Sequence, residues 1–361
     1  MKPTQQLHDA GQSLWLDNIT RGLLTSGTLK SYIDELSVTG LTSNPTIFDN
    51  AVRKTDFYDD AITAKVAAGR SGEDLFFDLA LEDLTEAADL FRPIHDETAG
   101  TDGYVSLEVS PKLAYDTRST IEEAKNLFAR AERPNLFIKI PGTPEGLPAI
   151  EEAIAAGINV NVTLLFSREH YMAAAGAYMK GIRRRIDAGE SPQVASVASV
   201  FISRWDKAVM GKIPDELKDQ LGVAVAKRCY KAYRELLDSD EWQTLANAGA
   251  RPQRLLWAST GTKDPDASDV LYIEKLASPH TVNTMPEKTL HAFADHGTVG
   301  DMLPPDGGDA EETMAKLADA GVDYDALGAQ LQTDGAKAFV DSWDELLTCI
   351  EDKSEALGKA S

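Results

Sequence analysis

Short apolar runs rich in β-branched residues recur along the chain, and each is followed by turn residues and then by a stretch with helical periodicity. These runs predict eight β-strands, at Leu14–Asp17, Val38–Thr42, Val105–Val109, Leu136–Ile140, Asn159–Phe166, Val194–Phe201, Leu255–Ser259 and Thr281–Met285. Helices are predicted between them, among others at Thr117–Arg133, Pro144–Ala156, Ser167–Ala188 and Asp264–Leu276. Alternating strands and helices imply parallel pairing through right-handed crossovers. Eight such units favour an α/β fold of the (β/α)8 (TIM) barrel type over an open doubly wound sheet.

The barrel is expected to carry extra helices. Thr143 followed by Pro144 is typical of a helix N-cap with proline at the first helical position. The segments Asp56–Pro93 and Asp206–Asn247 each contain two further helical patterns. An amphipathic C-terminal helix over the barrel is indicated by apolar residues at helical spacing, namely Phe339, Trp343, Leu346, Leu347 and Ile350. No repeat or Ser/Gly-rich linker interrupts the pattern, so one domain is expected over residues 1–361.

Composition and charge exclude several classes of protein. The 361 residues are 43% hydrophobic and 26% charged, which is typical of a globular chain and not of a disordered one. With 36 Lys and Arg against 58 Asp and Glu, the net charge of −22 argues against a nucleic-acid partner or a membrane surface. The two cysteines, Cys229 and Cys349, lie far apart and support neither a disulfide framework nor a metal site. The N-terminus lacks the apolar segment of a signal peptide, so a cytoplasmic location is expected.

One lysine interrupts an apolar strand. Lys139 lies in the run NLFIKIPGTPEG, between Ile138 and Ile140. Burial disfavours the charged form of an amine, and a neutral buried amine is the nucleophile that forms Schiff bases with carbonyl compounds. The strand pattern leaves two interpretations open: a nucleophile, or a lysine that reaches solvent or pairs with a carboxylate.

Two carboxylates also lie at strand ends, where (β/α)8 barrels place their active sites. Asp17 ends the run SLWLD, and Glu108 lies between Leu107 and Val109. A buried carboxylate needs a partner or a protonation role. Asp17 alone is also explained as a turn or cap residue, and Glu108 as half of a structural ion pair.

Further polar residues end other predicted strands. Asn161 and Thr163 are two positions apart and therefore share one face of the fifth strand. Arg204, Ser259, Lys263 and the turn ASTGTK are candidates for binding a phosphate, because a cation and backbone amides suit an oxyanion. Taken singly, each of these residues is more typical of a structural role, as are Asn44, Ser199 and Phe201.

Together, the segments GLTSNPTIF, VSLEVSPKLAYDT, LFIKIPGTPEG, GINVNVTLLFS and SVFISRWD resemble the transaldolases, in their longer actinobacterial-type form. The match runs in order from about Asp17 to the C-terminal helix. The resemblance implies a class I aldolase barrel that uses no metal and no organic cofactor. It also implies transfer of a dihydroxyacetone unit from sedoheptulose 7-phosphate to glyceraldehyde 3-phosphate, giving erythrose 4-phosphate and fructose 6-phosphate in the pentose phosphate pathway.

The resemblance assigns a role to each matching position. Lys139 corresponds to the Schiff-base lysine, and Asp17 to the group that takes the C4 hydroxyl proton. Glu108 and Thr163 correspond to the pair that holds a catalytic water. The remaining matches concern substrate binding: Asn44, Asn161 and Ser199 for the dihydroxyacetone hydroxyls, and Arg204 for the phosphate.

One position departs from the family pattern. Shorter transaldolases carry a second phosphate-binding arginine after the seventh strand, whereas this chain has Ala258-Ser259-Thr260-Gly261 there. We hypothesise that Lys263, with Ser259, replaces that arginine. Lysine offers a point charge and not a bidentate fork, so the geometry must differ.

Two other functions fit parts of the pattern. A fructose 6-phosphate aldolase-like enzyme shares the lysine strand. Phe201 and Glu108 favour the transferase, because the resemblance implies a tyrosine at the first position and a glutamine at the second in such aldolases. A non-catalytic sugar-phosphate sensor has no need of a buried amine. Sugar phosphates are the expected partners, and the chain is expected to be a monomer or a homodimer.

Overall fold

Eight parallel strands close into a barrel. The computed structural model describes residues 1–360, with side chains through Lys359. The strands are β1 Ser13–Asp17, β2 Val38–Thr42, β3 Val105–Glu108, β4 Leu136–Pro141, β5 Val160–Leu165, β6 Ser196–Phe201, β7 Arg254–Ala258 and β8 Val282–Met285. Each pairs with the next in sequence, and β8 returns to β1. The predicted (β/α)8 barrel and its eight strands are therefore confirmed, with small shifts at the strand ends.

Helices form the outer layer and explain why the strands are so apolar. Because helices cover the outside while side chains fill the inside, nearly every strand residue is buried. Within the described residues the helices are α1 Pro3–Asp9, α2 Arg21–Thr25, α3 Thr28–Leu36, α4 Pro45–Lys54, α5 Asp59–Ala67, α6 Gly72–Glu97, α7 Thr117–Ala131, α8 Gly146–Ala155, α9 Arg168–Asp187, α10 Ser203–Val209, α11 Leu221–Asp238, α12 Asp240–Asn247, α13 Leu271–Lys275, α14 Glu287–His296, α15 Ala310–Asp319 and α16 Tyr324–Ala360. Short 3₁₀ turns occupy Pro111–Leu113 and Asp215–Leu217. None of the described helices is both long and apolar enough to cross a membrane.

The registers of β3, β4 and β5 set three polar side chains in a row. Glu108 pairs with Lys139, and Lys139 pairs with Asn161. Between β5 and β6 the register shifts around Leu164, whose φ of 59° is in the left-handed region. This irregularity directly follows Thr163, so the backbone departs from a regular strand at a residue of the predicted site.

The C-terminal helix α16 lies across the carboxyl end of the barrel, as the apolar spacing predicts. It packs against α4, α5 and α6. The Gln332 side chain donates hydrogen bonds to the carbonyls of Gly142, at 3.1 Å, and Leu164, at 3.0 Å. Farther along, Trp343 Nε1 donates to Glu73 Oε1 at 2.9 Å. The helix is thereby tied to the ends of β4 and β5 and to α6.

Two predicted helices begin later than expected. In the segment Asp264–Leu276 only Leu271–Lys275 is helical, because Asp264 Oδ1 accepts from the backbone amide of Asp266 at 2.9 Å and Pro265 lies within that turn. Thr143 does accept a capping hydrogen bond from the Gly146 amide at 3.0 Å, but α8 begins only at Gly146. The two inserted segments contain the predicted helices, α5 and α6 in the first, and α11 and α12 in the second after the end of α10.

We expect Leu346→Ala to lower the free energy of unfolding by about 3 kcal/mol, because it opens a cavity beneath α16 at a side chain with no exposed surface. Urea unfolding measures the change. The matched control is Asp344→Ala on the same helix, which removes an exposed ion pair with Lys112 and should cost far less. Equal losses in the two variants would contradict the packing of α16 described above.

Candidate active site

A cavity of about 300 Å³ opens at the carboxyl ends of the strands, beneath α4 and α16. Ends of the strands form its floor, and the two helices form part of its wall. The polar and aromatic residues that line it include Asp17, Thr42, Asn44, Lys139, Thr163, Ser199, Phe201, Arg204, Ser259, Lys263, Phe339 and Ser342. The cavity thus brings together nine of the eleven predicted site residues. Glu108 and Asn161 do not line it but hydrogen-bond to the lining residues Lys139 and Ser199.

Lys139 and Glu108 form a buried ion pair at the floor. Lys139 Nζ lies 3.0 Å from Glu108 Oε2 and also donates to the carbonyl of Ser43 at 3.0 Å. Both side chains are buried, with 6% and 4% of their residue surface exposed. Burial raises the pKa of Glu108, the charge of Lys139 opposes this, and Asp17 adds to it. A carboxylate that resists ionisation beside an amine can take up that amine's proton, which leaves a nucleophile.

Asp17 is the second carboxylate of the site, at the end of β1. Thr42 Oγ1, its neighbour in register, donates a hydrogen bond to Asp17 Oδ1 at 2.8 Å and is itself hydrogen-bonded to Thr284 Oγ1 at 2.7 Å. Burial raises the pKa of Asp17, against the lowering effects of Lys139, the Thr42 hydrogen bond and Lys263. Such a group is suited to general acid–base chemistry.

Hydroxyl and amide groups connect the floor to neighbouring strands. Ser199 Oγ donates to Asn161 Oδ1 at 2.7 Å, and Asn161 Nδ2 donates to Ser106 Oγ at 3.1 Å. Asn161 therefore supports Ser199 from behind. Two buried oxygens, Glu108 Oε1 and Thr163 Oγ1, have no hydrogen-bond partner among the described residues. Buried oxygens are normally satisfied, so these two are available to a small polar molecule.

Asn44 both caps a helix and lines the cavity. It caps α4, where its Oδ1 accepts from the Ile47 amide at 3.1 Å, and Pro45 occupies the first helical position. The sequence Asn-Pro therefore begins a helix at the carboxyl end of β2. This cap holds the Asn44 side chain at the cavity wall.

Cations gather at the mouth of the cavity. Within the described residues, neither the Arg204 nor the Lys263 side chain makes an ion pair or a protein hydrogen bond. The Arg204 guanidinium lies 5.2 Å from the centre of the Phe201 ring. Burial lowers the pKa of Arg204. The pKa of Lys263 is also lowered, mainly by partial desolvation and to a smaller extent by the nearby charges of Lys207 and Arg204. Unpaired, partly desolvated cations are suited to an anionic group.

Ser259 lies beside these cations because the backbone turns sharply after β7. Its φ of 55° is left-handed, its Oγ is 2.8 Å from Ser203 Oγ, and its carbonyl accepts from the Ser203 amide. The strand therefore ends at Ala258, one residue earlier than predicted.

Within residues 1–360, no cluster of three or more His, Cys, Asp or Glu is placed to hold a metal ion.

Sequence reasoning missed four contributors to this site. Thr42 is the last residue of its strand, as Asp17 is of β1, and this position at a strand end could have identified it from the sequence. Lys207 follows Arg204 by one helical turn and adds positive charge near Lys263. Ser43 acts through its backbone carbonyl, which no side-chain pattern reveals. Phe339 was predicted to pack on the barrel, but its position over Lys139 has no sequence signal.

The comparison with known proteins agrees with this geometry. The sequence profile of the family described as Transaldolase/Fructose-6-phosphate aldolase matches residues 14–350. The chain belongs to this family. Among its relatives, a protein named transaldolase from Arthrobacter sp. (strain FB24) is 45% identical, with 99% of each chain covered. A transaldolase from Thermobifida fusca (strain YX) is 46% identical over 96% of each chain, and one from Trichodesmium erythraeum (strain IMS101) is 41% identical over 98% of this chain and 97% of its own.

In this transaldolase/fructose-6-phosphate aldolase family member, we expect Asp17→Asn to raise the free energy of unfolding by about 1 kcal/mol at pH 8. The pKa of Asp17 is higher in the folded chain than the unfolded value of about 3.9. Its contribution to stability is therefore present below that unfolded value and is lost as pH rises through the folded one. The advantage of the amide should shrink as pH falls from 8 towards 4.

Urea unfolding at several pH values measures this dependence. Asp301→Asn, at an exposed loop position, is the control and should show no such trend. A stability difference for Asp17→Asn that does not vary with pH would contradict the electrostatic assignment.

Proposed function

We propose that the protein is a transaldolase of the non-oxidative pentose phosphate pathway. It transfers dihydroxyacetone from sedoheptulose 7-phosphate to glyceraldehyde 3-phosphate through a Schiff base on Lys139, giving erythrose 4-phosphate and fructose 6-phosphate. The observation that carries the proposal is the buried Lys139–Glu108 pair on the floor of a cavity whose mouth holds unpaired cations. A cytoplasmic location is part of the same proposal.

The reaction begins at the amine. Neutral Lys139 attacks C2 of the ketose, and loss of water from the carbinolamine gives an iminium ion. Glu108 is in contact with Nζ, so it can take the ammonium proton before the attack and return a proton to the departing hydroxyl. The unpartnered oxygens of Glu108 and Thr163 support a hydrogen-bonded water that relays this proton.

Carbon–carbon cleavage follows from the iminium charge. Asp17 removes the proton of the C4 hydroxyl, the C3–C4 bond breaks, and its electron pair moves into the iminium to give an enamine. The aldose phosphate then leaves. The position of Asp17 on β1, within the electrostatic reach of Lys139, supports this assignment. When an acceptor aldehyde arrives, the same steps run in reverse and Asp17 returns the proton.

The three-carbon unit must be held between the two half-reactions. We assign this role to Ser199, Asn44 and Asn161, of which the first two line the cavity and the third orients Ser199. Phe201 closes one side of the cavity. Fixed hydrogen bonds and apolar walls limit loose water around the intermediate.

The phosphate end of the substrate is assigned to Arg204, Ser259 and Lys263. Arg204 offers a fork of donors and Lys263 a point charge, and Ser259 lines the same cavity. Because Lys139, Arg204 and Lys263 all line one cavity, a phosphorylated sugar can contact the amine and the cations together.

Reduction with borohydride in the presence of fructose 6-phosphate tests the mechanism. We expect a stable three-carbon adduct on Lys139, found by peptide mapping, because the reductant traps the iminium. Lys139→Met should give no adduct, whereas Lys180→Met, which changes an exposed lysine on α9, should behave like the wild type. An adduct on another lysine would refute the assignment. In a separate reaction without borohydride, added erythrose 4-phosphate should be converted to sedoheptulose 7-phosphate; release of free dihydroxyacetone alone would favour an aldolase.

A second experiment tests the phosphate site. We expect Lys263→Ala to raise the Michaelis constant for fructose 6-phosphate about tenfold, with a smaller change in kcat, because the lost charge acts on binding. Steady-state kinetics measures both, and Lys180→Ala is the matched control. An unchanged Michaelis constant in Lys263→Ala would remove this lysine from the phosphate site.

A further inference from the structure

We propose that Phe339, on the C-terminal helix, determines whether the enamine is transferred or released. Its ring covers the nitrogen of Lys139 and keeps water from the intermediate. This inference rests on the proposed function, and it adds to that function a residue outside the barrel strands.

The position of the ring carries the inference. Lys139 Nζ lies 5.6 Å from the centre of the Phe339 ring, within the range of a cation–π contact. Only 9% of Phe339 is exposed, and the residue lines the cavity. Its ring is 6.4 Å from that of Phe201, which in turn lies beneath the Arg204 guanidinium. The two phenylalanines thus form an apolar part of the cavity wall that extends from the amine to the phosphate-binding cation.

Hydrogen bonds on both sides of Phe339 hold this wall in place. Two turns before it, Gln332 binds the carbonyls of Gly142 and Leu164. One turn after it, Thr46 Oγ1 of α4 donates to Ser342 Oγ at 2.9 Å, at the cavity wall. Trp343 is fixed by Glu73 in the next position. The ring is therefore supported by a helix that is anchored before and after it.

Two chemical consequences follow, and they can be separated. Release of dihydroxyacetone requires the enamine carbon to take up a proton, water to add to C2, and the C2–N bond to break. A ring beside the nitrogen occupies space through which that water would approach. Its face also favours the cationic iminium over neutral species. Leucine at this position keeps apolar bulk but loses the aromatic face, whereas alanine loses both.

The experiment uses the full-length protein with fructose 6-phosphate and erythrose 4-phosphate. It measures free dihydroxyacetone per sedoheptulose 7-phosphate formed. We expect this ratio to rise about tenfold in Phe339→Ala and only about two- to threefold in Phe339→Leu, because alanine admits water. The fraction of Lys139 trapped by borohydride at saturating fructose 6-phosphate should fall about threefold in Phe339→Leu. Leu346→Ala loosens the same helix without changing the cavity lining, and its ratio should stay within about twofold of the wild type.

The outcomes separate the inference from the proposed function. A wild-type protein without an adduct on Lys139 would overturn the proposed function. If the wild type forms the adduct and transfers, but neither Phe339 variant changes the ratio, the role of Phe339 is refuted and the function stands. An equal rise in Leu346→Ala would assign the effect to helix loosening and refute the role of the ring. If Phe339→Ala does not fold, Phe339→Leu decides through both readouts.

Discussion

The ion pair between Lys139 and Glu108 is the constraint on which the rest of the site depends. Two charged groups buried in a barrel are costly unless each satisfies the other, and removing one partner from such a pair typically costs about 3–5 kcal/mol. The pair exists because β3 and β4 lie in a register that sets Glu108 beside Lys139. The Ser43 carbonyl accepts a further amine hydrogen and the next strand adds Asn161 to the row. The strand register that closes this part of the barrel therefore also places the polar groups of the candidate site in contact.

Electrostatics divides the molecule into an acidic surface and a small cationic focus. The net charge of −22 repels an anionic sugar phosphate only weakly, since salt screens exposed charges beyond about 8–10 Å. Close to the cavity the balance is reversed, because neither Arg204 nor Lys263 forms an ion pair with a carboxylate of the described residues. Partial desolvation strengthens their attraction for an anion. Two of 36 basic residues can therefore carry recognition that the overall charge does not suggest.

Sequence patterns predicted the strands better than the helix boundaries and the site walls. A strand buried on both faces must be apolar, so each of the eight runs was visible, and a polar residue within a run stood out as Lys139 and Glu108 do. The helix expected from Asp264 failed because local hydrogen bonding by an aspartate side chain competed with helix formation. The left-handed backbone of Ser259 also ends β7 one residue early, and the pattern of apolar residues does not predict a backbone conformation of this kind.

By itself, the sequence determined the eight-fold alternation, the strand positions of the candidate site residues and the family. These properties are encoded locally, in the spacing of apolar residues and in short motifs. Only the tertiary structure decided that Lys139 pairs with Glu108, that Asn161 lies behind Ser199, and that Phe339 covers the amine from about 200 residues away in the chain. Such contacts depend on strand register and on where a distant helix docks, and neither quantity can be read from local spacing.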